Sequence, residues 1–151
     1  MADVLEPRPE LAALRDSVAR LIETAQVAPD RPGEWSPALV LCHLSQVDEE
    51  VWLARVEQMV DARHRGVGSP SFSWWESAPG STESRFAGYS LADAAEVLAR
   101  TRSALVDRLA RLPEDDWTAI AHHDVFGVID VVGLVREVLA HDQEHLAGLG
   151  G

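Results

Sequence analysis

The sequence contains no lysine. All 13 basic residues in its 151 are arginines, set against 25 acidic residues for a net charge of −12. A chain so short of positive charge is poorly suited to nucleic acid, whose affinity comes from clustered Lys and Arg. Anionic membrane surfaces are excluded on the same ground. A single cysteine, Cys42, rules out an intramolecular disulfide framework and fits a reducing, cytoplasmic compartment. No apolar run approaches the ~18 residues of a membrane span, and no signal-peptide pattern opens the chain. Internal repeats and low-complexity tracts are missing. Convincing strands are missing too: residues 125–132 are rich in β-branched side chains, but Gly127 and Asp130 interrupt them. The length suits one domain spanning residues 1–151, with residues 1–8 as an N-terminal tail. Such a chain buries roughly 70% of its unfolded surface and needs no staple.

What is present is helical periodicity. In residues 9–25, Leu11, Leu14, Val18, Leu21, Ile22 and Ala25 recur at three- and four-residue steps, one apolar helix face. A second segment starts at Ser36, a good N-cap, followed by Pro37 at the first helical position, and runs to about His64 before Gly66. Trp35 stands where a hydrophobic residue packs back on the first turn. A third starts at Ser90, with Asp93 three residues on as an approximate capping box; Leu98, Leu105, Leu109 and Leu112 form its stripe and Pro113 ends it. The fourth covers residues 131–146, with Asp130 as N-cap. Four amphipathic helices of this length predict an all-α, four-helix bundle. The connection over residues 66–89 is longer than antiparallel neighbours need and reads as a crossover. Its Phe72, Trp74 and Trp75 either plug the bundle end, the commoner use of large aromatics, or line a ligand pocket.

Six histidines remain. In His141-Asp142-Gln143-Glu144-His145 the two imidazoles stand four apart, on one helix face, with Cβ atoms about 5–6 Å apart. Leu134 and Val138 precede them on the same stripe, so both point inward. The stripe of Val40, His43 or Leu44, Val47 and Val51 turns His43 inward as well. Three unpaired buried imidazoles are costly, and one divalent cation satisfies them together. Three His with an open fourth position is the ligand count of catalytic zinc. The alternative is a bundle in which the rings are satisfied by ordinary hydrogen bonds. The two His-rich peptidase patterns fail. Asp142 replaces the glutamate of His-Glu-x-x-His, and only six residues follow His145, too few for the downstream glutamate ligand of His-x-x-Glu-His enzymes. Glu144 points away from His145. His64 reads as solvated. His122 and His123 lie in a loop, either at the surface or reaching the site as an orienting group or fourth ligand. Asp142 and Glu137 are candidates for orienting an imidazole. Cys42 points about 100° from His43 and reads as a small buried hydrophobe. No general base stands out.

At these residues the chain resembles the DinB/YfiT-like superfamily of bacterial four-helix-bundle metalloproteins. The resemblance runs from about Leu11 to Leu149. It rests on Trp35-Ser36-Pro37 leading into Leu41-Cys42-His43-Leu44, on the stretch from His123 to Gly127, and most specifically on His141-Asp142-Gln143-Glu144-His145-Leu146. It implies an up-down-down-up bundle with a long crossover between the second and third helices. It implies a divalent metal, zinc or nickel most often, on positions matching His43, His141 and His145, and homodimers are frequent in it. Relatives include transferases using a low-molecular-weight thiol, a thiol-dependent isomerase and metal-dependent hydrolases, all acting on small molecules. A stress-linked, non-catalytic metal- or ligand-binding bundle is the alternative.

Overall fold

Caps and proline stops act where the sequence places them in the computed structural model, which describes residues 8–150. Helix α1 is Pro9–Val27. Helix α2, Pro37–Val47, opens on Ser36, whose Oγ accepts from the Leu39 N–H at 3.2 Å. Helix α3, Ala54–Arg65, ends on Gly66 at φ 66°, a left-handed conformation that glycine takes without penalty. A short helix, α4 (Ser81–Arg85), lies in the long connection. Helix α5, Leu91–Ala110, opens on a reciprocal cap between Ser90 and Asp93. A 3-10 turn follows at Glu114–Thr118. Helix α6 is Val131–Gly150, with Asp130 Oδ1 accepting from the Gly133 N–H at 2.8 Å. It continues past Leu146, the expected end.

Two features depart from expectation. The chain between α2 and α3 does not break but widens into a π-helical turn, Asp48–Leu53. Such turns recur at functional sites. The second departure is a small sheet, where none was expected. Strands β1 (Ser71–Phe72), β2 (Ile120–His123) and β3 (Gly127–Asp130) pair in that order. β1 runs parallel to β2 with Phe72 opposite His123, and β2 runs antiparallel to β3 with His123 opposite Gly127. Gly127, which reads as an interruption, closes the turn at φ 73°.

The helices form a four-helix bundle. α1 packs on α5 and α6, and α2 on α5. The core falls into two apolar clusters. One, around Leu14, Leu105, Trp117 and Val138, adjoins the sheet. The other gathers Leu21, Leu41, Leu44, Leu98 and Leu149. Along α1, α5 and α6 a polar residue sits between the two clusters: Ser17, Arg102 and Asp142. Asp48 of the π turn supplies the fourth. Of the expected tail at residues 1–8, residues 1–7 lie outside the described part. Arg8 packs over the Trp117 ring at 4.0 Å and pairs with Glu114. Among the described residues, no helix is long and apolar enough to cross a membrane.

Candidate metal centre

Helix α2 carries His43 and helix α6 carries His141 and His145. Each offers one ligand atom, and these atoms lie within 4.8 Å of one another. The two Nε2 atoms of His141 and His145 are 3.2 Å apart. Two ligands held at 2.0–2.1 Å by a tetrahedral ion stand roughly 3.3 Å apart, so this pair already has a chelating separation. Ring centroids lie 5.6 Å (His43 to His141), 5.2 Å (His43 to His145) and 4.7 Å (His141 to His145) apart.

Burial, and after it the fields of His145 and His141, lowers the pKa of His43 to about 4. His141 falls to about 4, through burial and then His145. His145 is lowered by burial despite Glu144 and Asp142. Neutral rings are the form that ligates a metal. Moreover, Nδ1 of His43 and Nδ1 of His141 are buried without a hydrogen-bond partner. A single proton shared between two rings leaves the third unserved, whereas one divalent cation serves all three. The donor set therefore fits a borderline divalent ion. Among the described residues no fourth His, Cys, Asp or Glu joins this cluster, so neither His122 nor His123 closes it.

The cluster forms part of the wall of a cavity of about 550 Å³. Four of the five tryptophans line it, Trp35, Trp52, Trp74 and Trp75, together with Phe126. Trp35 tilts against His43 at 5.0 Å and donates from Nε1 to Glu83 of α4. Trp75 stacks with His43 at 6.4 Å, and Trp52 of the π turn meets His141 edge-on at 6.1 Å. The long connection between α3 and α5 is thus a wall of the site, tied down by the Arg55 donor to the Ser73 carbonyl (2.7 Å) and by the Trp74 N–H to Asp124 (2.9 Å).

Phe72 does not line the cavity. It is 7% exposed in the sheet-side core, because its side chain on β1 points inward while Trp74, beyond the strand, is 56% exposed. Asp142 does not orient an imidazole either. Its carboxylate faces α5, where Arg102 donates to Asp142 Oδ2 (2.8 Å) and Oδ1 (2.9 Å), to Asp48 Oδ2 and Oδ1 (3.1 Å each) and to the Leu14 carbonyl (3.1 Å). Ser17 Oγ adds a 2.7 Å donor to Asp142. Burial works against the Arg102 cation, but hydrogen bonds to Asp142 and the fields of both carboxylates more than offset it, and its pKa is raised. With two carboxylates for one guanidinium, the group carries a formal charge of −1 beside the helix face that bears His141.

Glu137 lines the cavity without bonding to a histidine; burial raises its pKa, against the field of His123. His123, expected in a loop, is on β2 and also lines the cavity. Its Nδ1 accepts from the N–H groups of Val125 (3.0 Å) and Phe126 (3.3 Å). Asp124 Oδ1 is also 3.2 Å from that atom, but a nitrogen already accepting two backbone donors carries no proton to share. The ring proton therefore sits on Nε2. His122 is exposed, and His64 meets both oxygens of Asp116 at 2.8 and 2.9 Å rather than water alone. Cys42 is fully buried, its thiol pushed up to about 11 by burial and by Asp93. Trp35 and Arg55 are site residues that residue spacing alone did not single out as lining the cavity.

A family model described as the DinB superfamily matches residues 8–148. Among curated proteins, none matches the sequence. Among solved structures, YfiT from Bacillus subtilis superposes with a TM-score of 0.67 at 12% identity, covering 99% of this chain and 86% of its own. That protein is described as a probable metal-dependent hydrolase with an unusual four-helix bundle topology.

Proposed function

The chain belongs to the DinB superfamily, and from that premise we propose that it is a metal-dependent enzyme of hydrolase type acting on a small molecule. His43, His141 and His145 are the ligands, and zinc or nickel is the ion their nitrogen set suits. One observation carries the reading: three imidazoles whose pKa values burial lowers, two of them with a buried ring nitrogen that has no partner, converge on an aromatic cavity. When bound, the ion supplies Lewis acidity that activates a water or a thiol. The remaining work falls to the protein. Trp35, Trp52, Trp74 and Trp75 exclude bulk water and grip an apolar body. Glu137, one helical turn before His141, holds or takes up a proton, and burial has moved its pKa in the direction such a task requires. His123 is fixed as an Nε2 donor by its backbone partners.

Elemental analysis of protein purified without a His-tag or chelating resin tests the ligands. About one zinc or nickel per chain is expected, and less than about 0.2 removes the basis of the reading, since a site of this kind retains its ion. The metal-loaded protein is then assayed on a panel of esters and amides, with and without low-molecular-weight thiols. Turnover that requires the thiol identifies the thiol-dependent transferase that the family resemblance implies. A full complement of metal with no turnover identifies a binding module.

A further inference from the structure

Among the described residues, Arg55 is the one Arg lining a cavity that three glutamates also line. Glu76 and Glu144 are exposed at its rim, and Glu137 is half-buried. Arg55 is itself half-buried, and burial lowers its pKa, with Asp124 acting the other way. In a chain holding 25 carboxylates, its nitrogens have no carboxylate oxygen within ion-pair distance among the described residues. Among those residues its one hydrogen bond is to the Ser73 carbonyl at 2.7 Å, which uses one of its five N–H donors. It is held in place: its Cζ lies 4.9 Å from the Phe72 ring and 6.0 Å from the Trp52 ring. Trp52 in turn is 6.1 Å from His141, so a single indole spans from the guanidinium to the three-histidine cluster.

A partly desolvated, rigidly placed and unpaired guanidinium is costly to keep. It is well placed to receive an anion that arrives with a ligand, and its planar fork matches a carboxylate. The single positive charge, with glutamates around it, suits a monoanion better than a phosphate dianion. We propose that Arg55 determines substrate class, so that the cavity takes small carboxylic acids with an apolar or aromatic body. The carboxylate seats on Arg55, the body lies along Trp52, and the reacting end reaches the histidines. This rests on the reading of the same cavity as the active site.

The test uses phenylacetate and its uncharged isostere phenylacetamide, titrated into the full chain while the fluorescence of the cavity tryptophans is followed. Wild type should bind phenylacetate about tenfold more tightly than phenylacetamide, with and without metal. Arg55→Gln should bring the two to within about twofold while leaving metal content and the helical circular dichroism signal unchanged. Arg55→Lys, which keeps the charge, should retain part of the preference. No saturable binding of phenylacetate, or a preference that survives Arg55→Gln, overturns the proposal. A preference that vanishes when metal is removed also overturns it, because the carboxylate then binds the ion. The metal-free arm keeps this outcome separate from the metal-site reading, which fails instead if the protein as purified carries no metal.

Discussion

Two polar clusters meet on α6, where His141 and Asp142 are adjacent in sequence and point about 100° apart. On the Asp142 side every capacity is met. Arg102, 1% exposed, places its five N–H donors on Asp48, Asp142 and the Leu14 carbonyl, tying together all four arms of the bundle. On the His141 side the cluster is incomplete, with two ring nitrogens lacking partners beside a cavity. A polar cluster that is already complete has nothing left to offer a ligand and can only fasten. One left short by the protein, at about 1–3 kcal/mol for each buried unpaired group, keeps hydrogen-bonding capacity for a ligand. One residue step along a helix therefore separates a closed polar cluster from an open one.

The sharpest way to break this comparison is to open the closed side. Arg102→Met strands two buried carboxylates and should lower the unfolding free energy by about 3–5 kcal/mol in urea titrations. A loss under about 1 kcal/mol would mean that the network does not fasten the bundle. The open side should respond in the opposite manner. His141→Ala should cut bound metal from near one per chain to below about 0.2. The metal-free variant should stay within about 1 kcal/mol of the metal-free wild type, because a half-buried ring with an unpaired nitrogen contributes little. Cooperative unfolding of that variant at room temperature would make the histidines structural.

The histidines should also govern how the metal-free protein responds to acid. Their folded pKa values, about 4 for His43 and for His141, lie below the ordinary 6.5. Between those limits the unfolded chain binds more protons, so stability falls as pH drops from about 6.5 towards 4, by at most about 3 kcal/mol for each ring. Asp48 acts in the opposite sense. Burial raises it from 3.8 to about 6 against the pull of Arg102, so its contribution grows as pH falls through that range. The histidine effect is therefore read as a difference. His43→Ala should flatten the pH dependence between 6.5 and 4 relative to wild type, in urea titrations with chelator present. Parallel curves would assign the acid response to other groups.

Much of this division can be read from residue spacing. The His141/His145 step of four, Ser36 before Pro37, and the Ser90–Asp93 cap rest on local rules that tertiary packing did not override. Arg102 also left a signal: it lies four residues after Leu98 and three before Leu105, on the very stripe that defines the buried face of α5. Asp48 lies likewise between Leu44 and Val51. An inward-facing charge on two helices asks for a partner, and α6 supplies Asp142. Asp142 therefore faces Arg102 rather than orienting an imidazole, since neighbours on a helix point about 100° apart. The sheet was not legible for another reason. β1 has two residues, and in β2 the inward positions are Ala121 and His123, too few and too polar to register as hydrophobic alternation. The π turn carries no sequence mark at all, although it is what sets Trp52 against His141.

The finest test of the comparison lies at the edge of the closed cluster. Ser17 Oγ donates to Asp142 Oδ2 at 2.7 Å, an oxygen that also accepts from Arg102 at 2.8 Å. Removing the hydroxyl leaves Asp142 paired, so no buried charge is stranded and only one hydrogen bond to a charged group is lost. Ser17→Ala should therefore cost about 1–2 kcal/mol, well below Arg102→Met. If the two sides of α6 are independent, it should leave zinc affinity within twofold of wild type. If Asp142 instead transmits strain to His141, zinc affinity should fall together with stability. Competition with a chromogenic chelator measures the first quantity and urea titration the second. Only a stability loss with affinity preserved is consistent with one side that fastens and another that binds.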